Sequence, residues 1–223
     1  PRLRSVRGVR IVNTAGPQLL QSLAIPIAFQ TDRLLLSHLG QSQALAEYNL
    51  ANNLFNMLTQ TVMAAGVAMW PMFARARADK RIENPFKPAM IFSGGGFLLA
   101  LALVAVTPWA ARVMSHGKIV LPAALVWAFA AYVAVEAGKQ PLGMYMTDPR
   151  GLQFQVAPVL ILVPMNLAIS WVLIGPFDAA GPILGSVISV ILCQIVPYSW
   201  WVRRDVARRR RELAVSQAQE VGR

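Results

Sequence analysis

Six apolar stretches, each about 20 residues or longer, follow one another along the chain, and a bilayer's hydrocarbon core takes about 20 residues of helix to cross. They run over approximately 11–36, 48–73, 90–113, 119–138, 154–174 and 179–202. Within hydrocarbon a backbone must satisfy its own N–H and C=O groups, so such stretches predict an all-α, polytopic membrane protein. Composition agrees. Hydrophobic residues make up 56% of the 223 residues, charged residues only 14%, and the mean hydropathy is +0.48. An ordinary soluble domain carries about 25% charged residues. A soluble enzyme with one compact core and a disordered chain are both excluded.

The formal charge of +11 is first a statement about orientation. Counted over alternate connecting segments, eighteen Lys and Arg fall on one side and two on the other. Cytoplasmic loops collect basic residues, so both termini are predicted to be cytoplasmic. The reading is a basic segment (1–10), a six-transmembrane-helix lobe (11–202) and a basic cytoplasmic tail (203–223). Trp70, Trp109, Phe154, Trp200 and Trp201 fall near predicted span ends, where interfacial aromatics belong. The tail's arginines suit anionic lipid heads. No aromatic-basic interleaving or binding fold accompanies them, so nucleic acid is not an expected partner. The connections are too short to bury a core, and no extramembrane domain is expected. The first residue is Pro1, no signal-peptide layout follows, and four arginines lie in the first ten residues. That start is expected to be a loop left from a longer chain.

The single cysteine, Cys193, and the distant His38 and His116 offer no metal-ligand spacing, and no metal or cofactor is expected. Polar residues inside predicted spans carry more information, because a lipid-facing position has no reason to be polar. In the second span Asn49, Asn52, Asn53, Asn56, Thr59 and Gln60 fall within an arc of about 120° at 100° per residue. In the first, Thr14, Gln18, Gln21, Ser22 and Asp32 share a face, with Arg33 at its margin. Interhelical hydrogen bonding is one reading of such stripes. A hydrated cavity is the reading preferred for six such groups on one face, since amides and carboxylates offer donors and acceptors to hydroxyl-rich ligands. Glu136 and Lys139, three apart, read as a surface pair at the cytoplasmic end of the fourth span. Prolines and glycines within the spans are compatible with helices that move.

Three segments carry a resemblance: Phe29–Gly40 (FQTDRLLLSHLG), Glu47–Ala51 (EYNLA) and Met69–Phe73 (MWPMF). Gly151–Gln155, Asn166–Ser170 and Gly181–Gly185, then Val196-Pro-Tyr and a basic end, extend it over nearly the whole chain. The pattern resembles the oligosaccharide (O-antigen type) flippases of the multidrug/oligosaccharidyl-lipid/polysaccharide exporter superfamily. The resemblance implies the second of two six-helix lobes, with Asp32 in that lobe's first helix and an N-terminal lobe as the missing partner. It implies a non-enzymatic transporter in the bacterial plasma (inner) membrane that moves polyprenyl-diphosphate-linked oligosaccharide for cell-surface polysaccharide synthesis. Asp32, Arg33, Gln18, Gln21, Asn49, Asn52, Asn53, Asn56 and Gln60 are the expected substrate pathway, with Arg33 meeting the diphosphate. No phosphate-binding G-x-x-x-x-G-K-[ST] loop is present, so an ion or substrate gradient would drive the cycle. A cation- or proton-coupled multidrug exporter of the same superfamily is the alternative. A membrane enzyme of lipid-linked glycan metabolism is less favoured, because no constellation of acids and histidines exists.

Overall fold

A computed structural model describes residues 31–38, 42–79 and 81–221, with side chains to 215. Residues 31–38 are helical (α1). There follow α2 (Ser42–Val67), α3 (Trp70–Ala78), α4 (Phe86–Met114), α5 (Ala123–Tyr145) and α6 (Pro149–Phe177). A single 3₁₀ turn, Asp178–Ala180, reverses the chain into α7 (Gly181–Val190), which continues through a π turn (Ile191–Ile195) into α8 (Val196–Val221). No strand occurs among the described residues.

The all-helical expectation is met. By length and composition, three helical runs suffice to cross a membrane: Ser42–Ala78, Phe86–Met114 and Pro149–Val215. The last holds two antiparallel helices, α6 and α7–α8, joined at the tight turn. α5 is not among these three runs, and Glu136, Lys139 and Gln140 interrupt its apolar sequence. Among the apolar residues most exposed are Met90, Leu98, Trp171 and Val172, the outward character expected of helices solvated by lipid.

Several boundaries move. The second stretch does not run unbroken to Phe73. Pro71 has no N–H for the Val67 carbonyl and its ring crowds that carbonyl, so the helix breaks at 68–69 and restarts as α3. Helix α5 carries on seven residues past 138, to Tyr145, and so brings Lys139 inside a helix rather than onto a loop. Glu47, one residue before the predicted start of the second span, sits in the second turn of α2, buried, and accepts a hydrogen bond from Gln43 Nε2 at 2.9 Å.

α5 is the hub. Its small residues Ala128, Ala130 and Ala137 let neighbours approach, while Phe129 fills the space against α2. Phe55 stacks on Phe129 (5.5 Å, 22°) and Tyr48 tilts against the same ring at 5.6 Å. Of the three consecutive glycines of α4, Gly94 and Gly95 face open space and only Gly96 is packed. A Cβ on Gly96 would lie 2.6 Å from Ala137 Cβ, so this position requires glycine for α4 to seat on α5. Ser93 Oγ adds a hydrogen bond to the Ala134 carbonyl at 3.1 Å. A smaller core closes the end of the bundle where α3, α5 and α8 converge, with Phe73 edge-on to Tyr145 at 5.7 Å.

Candidate functional site

The amide stripe of α2 borders a cavity of about 310 Å³. Asn52, Asn56, Thr59 and Gln60 form one wall, and Thr59 turns its hydroxyl back to the Phe55 carbonyl at 3.0 Å. Opposite stand Phe129, Tyr132, Glu136 and Lys139 of α5. Asn166 of α6 and Ser186 of α7 contribute from a third side, Gln194 from the π turn, and Arg33 from α1. The apolar walls supplied by Phe129, Leu162 and Val190 narrow the polar surface to a few groups that fix orientation, the usual make-up of a small-molecule site.

Behind this wall Asp32 is fully buried and joins three helices. Its Oδ1 accepts from Asn166 Nδ2 and from Ser170 Oγ, both at 3.2 Å, and its Oδ2 accepts from Ser186 Oγ at 3.1 Å. Ser186 Oγ also lies 3.2 Å from Asn166 Oδ1. A carboxyl group in an apolar bundle is costly unless hydrogen-bonded, and here α6 and α7 supply the donors. They do so because Gly181 and Gly185 bring α7 against α6. A Cβ on Gly185 would collide with Ser170 Oγ and come within 2.9 Å of the Ser170 nitrogen.

Of the expected pathway residues, the structure brings Arg33, Asn52, Asn56 and Gln60 to one cavity. Asp32 reaches it only through Asn166 and Ser186. Asn49 and Asn53 lie off the lining. Asn53 is exposed, and Asn49 has a buried Oδ1 without a protein partner. Gln18 and Gln21 lie outside the described residues. Glu136 and Lys139 are not a surface pair: Lys139 Nζ donates to Glu136 Oε1 at 2.7 Å with side chains 12% and 4% exposed, facing the cavity. α5 continues past its apolar portion to Tyr145 as the packed hub of the bundle, and this carries them inward. Sequence reading passed over Asn166, Ser170 and Ser186 as partners of Asp32. The available signal was Asn166 and Ser170 one helical turn apart in an otherwise apolar span.

Beyond the cavity, Asp205 of α8 anchors the far end. Its carboxylate accepts from Tyr145 Oη at 3.0 Å and from Arg209 Nε at 2.6 Å, and pairs with Arg208. Burial works to raise its pKa, but the Arg209 and Tyr145 hydrogen bonds and the two guanidinium charges outweigh it and hold the carboxyl below its ordinary range. Arg77 of α3 reaches the Tyr145 carbonyl at 2.5 Å and lies 3.8 Å from Asp148.

Residues 4–77 match the family model described as "Polysaccharide biosynthesis protein". Over 201 residues the chain is 21% identical to the "Putative O-antigen export protein" of Yersinia pseudotuberculosis, covering 86% of this chain and 44% of that protein. The chain thus spans less than half the length of the curated relative it matches. No solved structure matches.

Proposed function

We propose that this chain, which is similar to polysaccharide biosynthesis and O-antigen export proteins, forms one lobe of a flippase for polyprenyl-diphosphate-linked oligosaccharide. The observation that carries this reading is the cavity: amides of Asn52, Asn56 and Gln60 on one wall, Tyr132 with the Glu136–Lys139 pair opposite, Asn166, Ser186 and Gln194 adding amides and a hydroxyl, and Arg33 at its border. Amides present donors and acceptors together, which suits sugar hydroxyls. An arginine fork suits the oxygens of a diphosphate. Both comparisons name polysaccharide proteins, and this favours glycan cargo over the drug cargo of other superfamily members.

In this mechanism the glycan passes through the polar cavity while the polyprenyl tail stays in the bilayer. A second six-helix lobe, supplied by the same longer polypeptide, completes the cavity, and the two lobes rock to expose it to either side. Asn52, Asn56 and Gln60 of the amide wall line that path, and Asp32 holds its wall in register. The protein acts in the bacterial inner membrane, with six spans and both termini inside.

Arginine replacement tests the reading in the full-length protein. Lysine lacks the bidentate grip of arginine, so Arg33→Lys lowers glycan export more than it lowers membrane abundance, and Arg33→Ala does so more severely. Normal export by Arg33→Ala at normal abundance would remove Arg33 from the pathway and leave it a side chain snorkelling to water.

A further inference from the structure

The buried ion pair of α5 is not explained by stability. Burying two charges costs several kcal/mol per ion before their attraction is counted, and an apolar pair of similar volume often does as well or better. In a membrane helix, ionisable residues are retained mainly where they meet substrate or ions. Glu136 and Lys139 fit that description by placement. They sit on the hub helix, face the cavity, and are bonded to each other at 2.7 Å. A second, independent observation points to a ligand in the same cavity. Gln194 is 3% exposed and lines it from the π turn, yet its Oε1 has no hydrogen-bond partner. The wide turn precedes Pro197, whose missing N–H interrupts the helical ladder at Cys193. Inserted π turns of this kind frequently mark functional sites.

We propose that Lys139 is a phosphate-binding residue of the cavity, and that Glu136 is its internal counter-anion, displaced when a phosphate group of the cargo arrives. Empty, the cavity keeps the ammonium neutralised, so a buried positive charge never stands alone. Loaded, phosphate oxygens take the place of the Glu136 carboxylate at Nζ. Gln194 Oε1 accepts from a hydroxyl of the same ligand. The exchange breaks one ion pair as it forms another, so the group binds without the full cost of exposing a free buried cation. This inference rests on the glycan-flippase reading for the origin of the phosphate, while Lys139 and Glu136 themselves are placed by the cavity.

The test uses the full chain in detergent, with inorganic pyrophosphate as the probe, titrated by calorimetry at neutral pH. Glu136→Gln removes the internal competitor and is expected to bind at least tenfold more tightly than wild type. Lys139→Gln is expected to bind at least tenfold more weakly. The double variant Glu136→Gln/Lys139→Gln leaves no charge at either position, approximates the shape of both side chains, and is expected to melt like wild type while losing pyrophosphate. Equal or weaker binding by a folded Glu136→Gln overturns the proposal. So does undiminished binding by the double variant, which decides the matter where a single variant fails to fold. Glycan export by the full-length protein separates the two readings. Export with pyrophosphate affinity indifferent to both residues sinks the subsite alone. The expected affinities in a protein that moves no lipid-linked glycan sink the flippase reading alone.

Discussion

A single carboxyl group at Asp32 gathers α1, α6 and α7 through Asn166, Ser170 and Ser186. Removing it would leave three buried polar side chains facing a void, with Ser170 keeping only the Pro182 carbonyl and Ser186 only Asn166 Oδ1 as acceptors, and each orphaned group costs about 1–3 kcal/mol. Asp32→Ala is therefore expected to destabilise the bundle by about 2–4 kcal/mol. Asp32→Asn preserves shape and one acceptor oxygen and should cost less. Thermal unfolding of the two variants in detergent compares them, and an Asp32→Ala protein as stable as wild type would show that the cluster does not hold the helices. The sequence marked Asp32 and Arg33 as unusual because charge in an apolar span is rare. It did not reveal the partners, since a serine or asparagine in one helix says nothing about which other helix it will meet. The amides of α2 were legible for the opposite reason: their spacing alone puts them on one face. Even so, that arc was broader than the cavity, and Asn49 and Asn53 fell outside its lining.

Helices were legible where hydrophobic length dictates them, and their ends were not. Pro71 split the second stretch, and α5 outran its apolar portion to carry Glu136 and Lys139 inward. Pairing between helices depends on small residues whose role only contact reveals. Gly185 is the clearest case: the α7 backbone rests on Ser170 there, and a larger side chain must push the two helices apart. Gly185→Leu is expected to cost about 1–3 kcal/mol by overpacking and to separate Ser170 and Ser186 from Asp32. A melting temperature unchanged from wild type would contradict that contact. The tie between α8 and α5 carries a pH signature. The folded-state pKa of Asp205 is depressed, so its contribution is fully present above the ordinary carboxylate pKa of about 4 and is lost as pH falls through the lower folded value. Between pH 7 and pH 3 the wild type should lose more thermal stability than Asp205→Asn. Parallel pH profiles for the two proteins would mean that Arg208, Arg209 and Tyr145 give the carboxylate no net stabilisation.

For the whole molecule, the decisive property is which way it faces. Basic residues crowd the stretch from α3 into α4 (Arg75, Arg77, Lys80, Arg81, Lys87) and the extension of α8, and in the proposed orientation, which follows the positive-inside rule, both face the cytoplasm. The Asp178 turn between α6 and α7 carries no Lys or Arg, and in the same proposed orientation it faces outside. The structure sharpens the choice of reporter positions. Ala179 is buried and would resist reagent, whereas its neighbour Asp178 is exposed, as are Ser42, Asp79 and Glu212. The lone native thiol, Cys193, is buried, so the background from it is low once it is replaced by alanine or left blocked. Single cysteines at Ser42 and Asp178 are expected to react with a membrane-impermeant maleimide in intact cells. Single cysteines at Asp79 and Glu212 are expected to react only after permeabilisation. The four sites are not redundant, because an odd number of crossings between Asp79 and Asp178 is required for them to differ. Labelling of Asp79 from outside would invert the molecule, turning the arginines of α8 toward the exterior. Equal labelling of Asp79 and Asp178 would instead break the count, meaning that α4, α5 and α6 do not all cross.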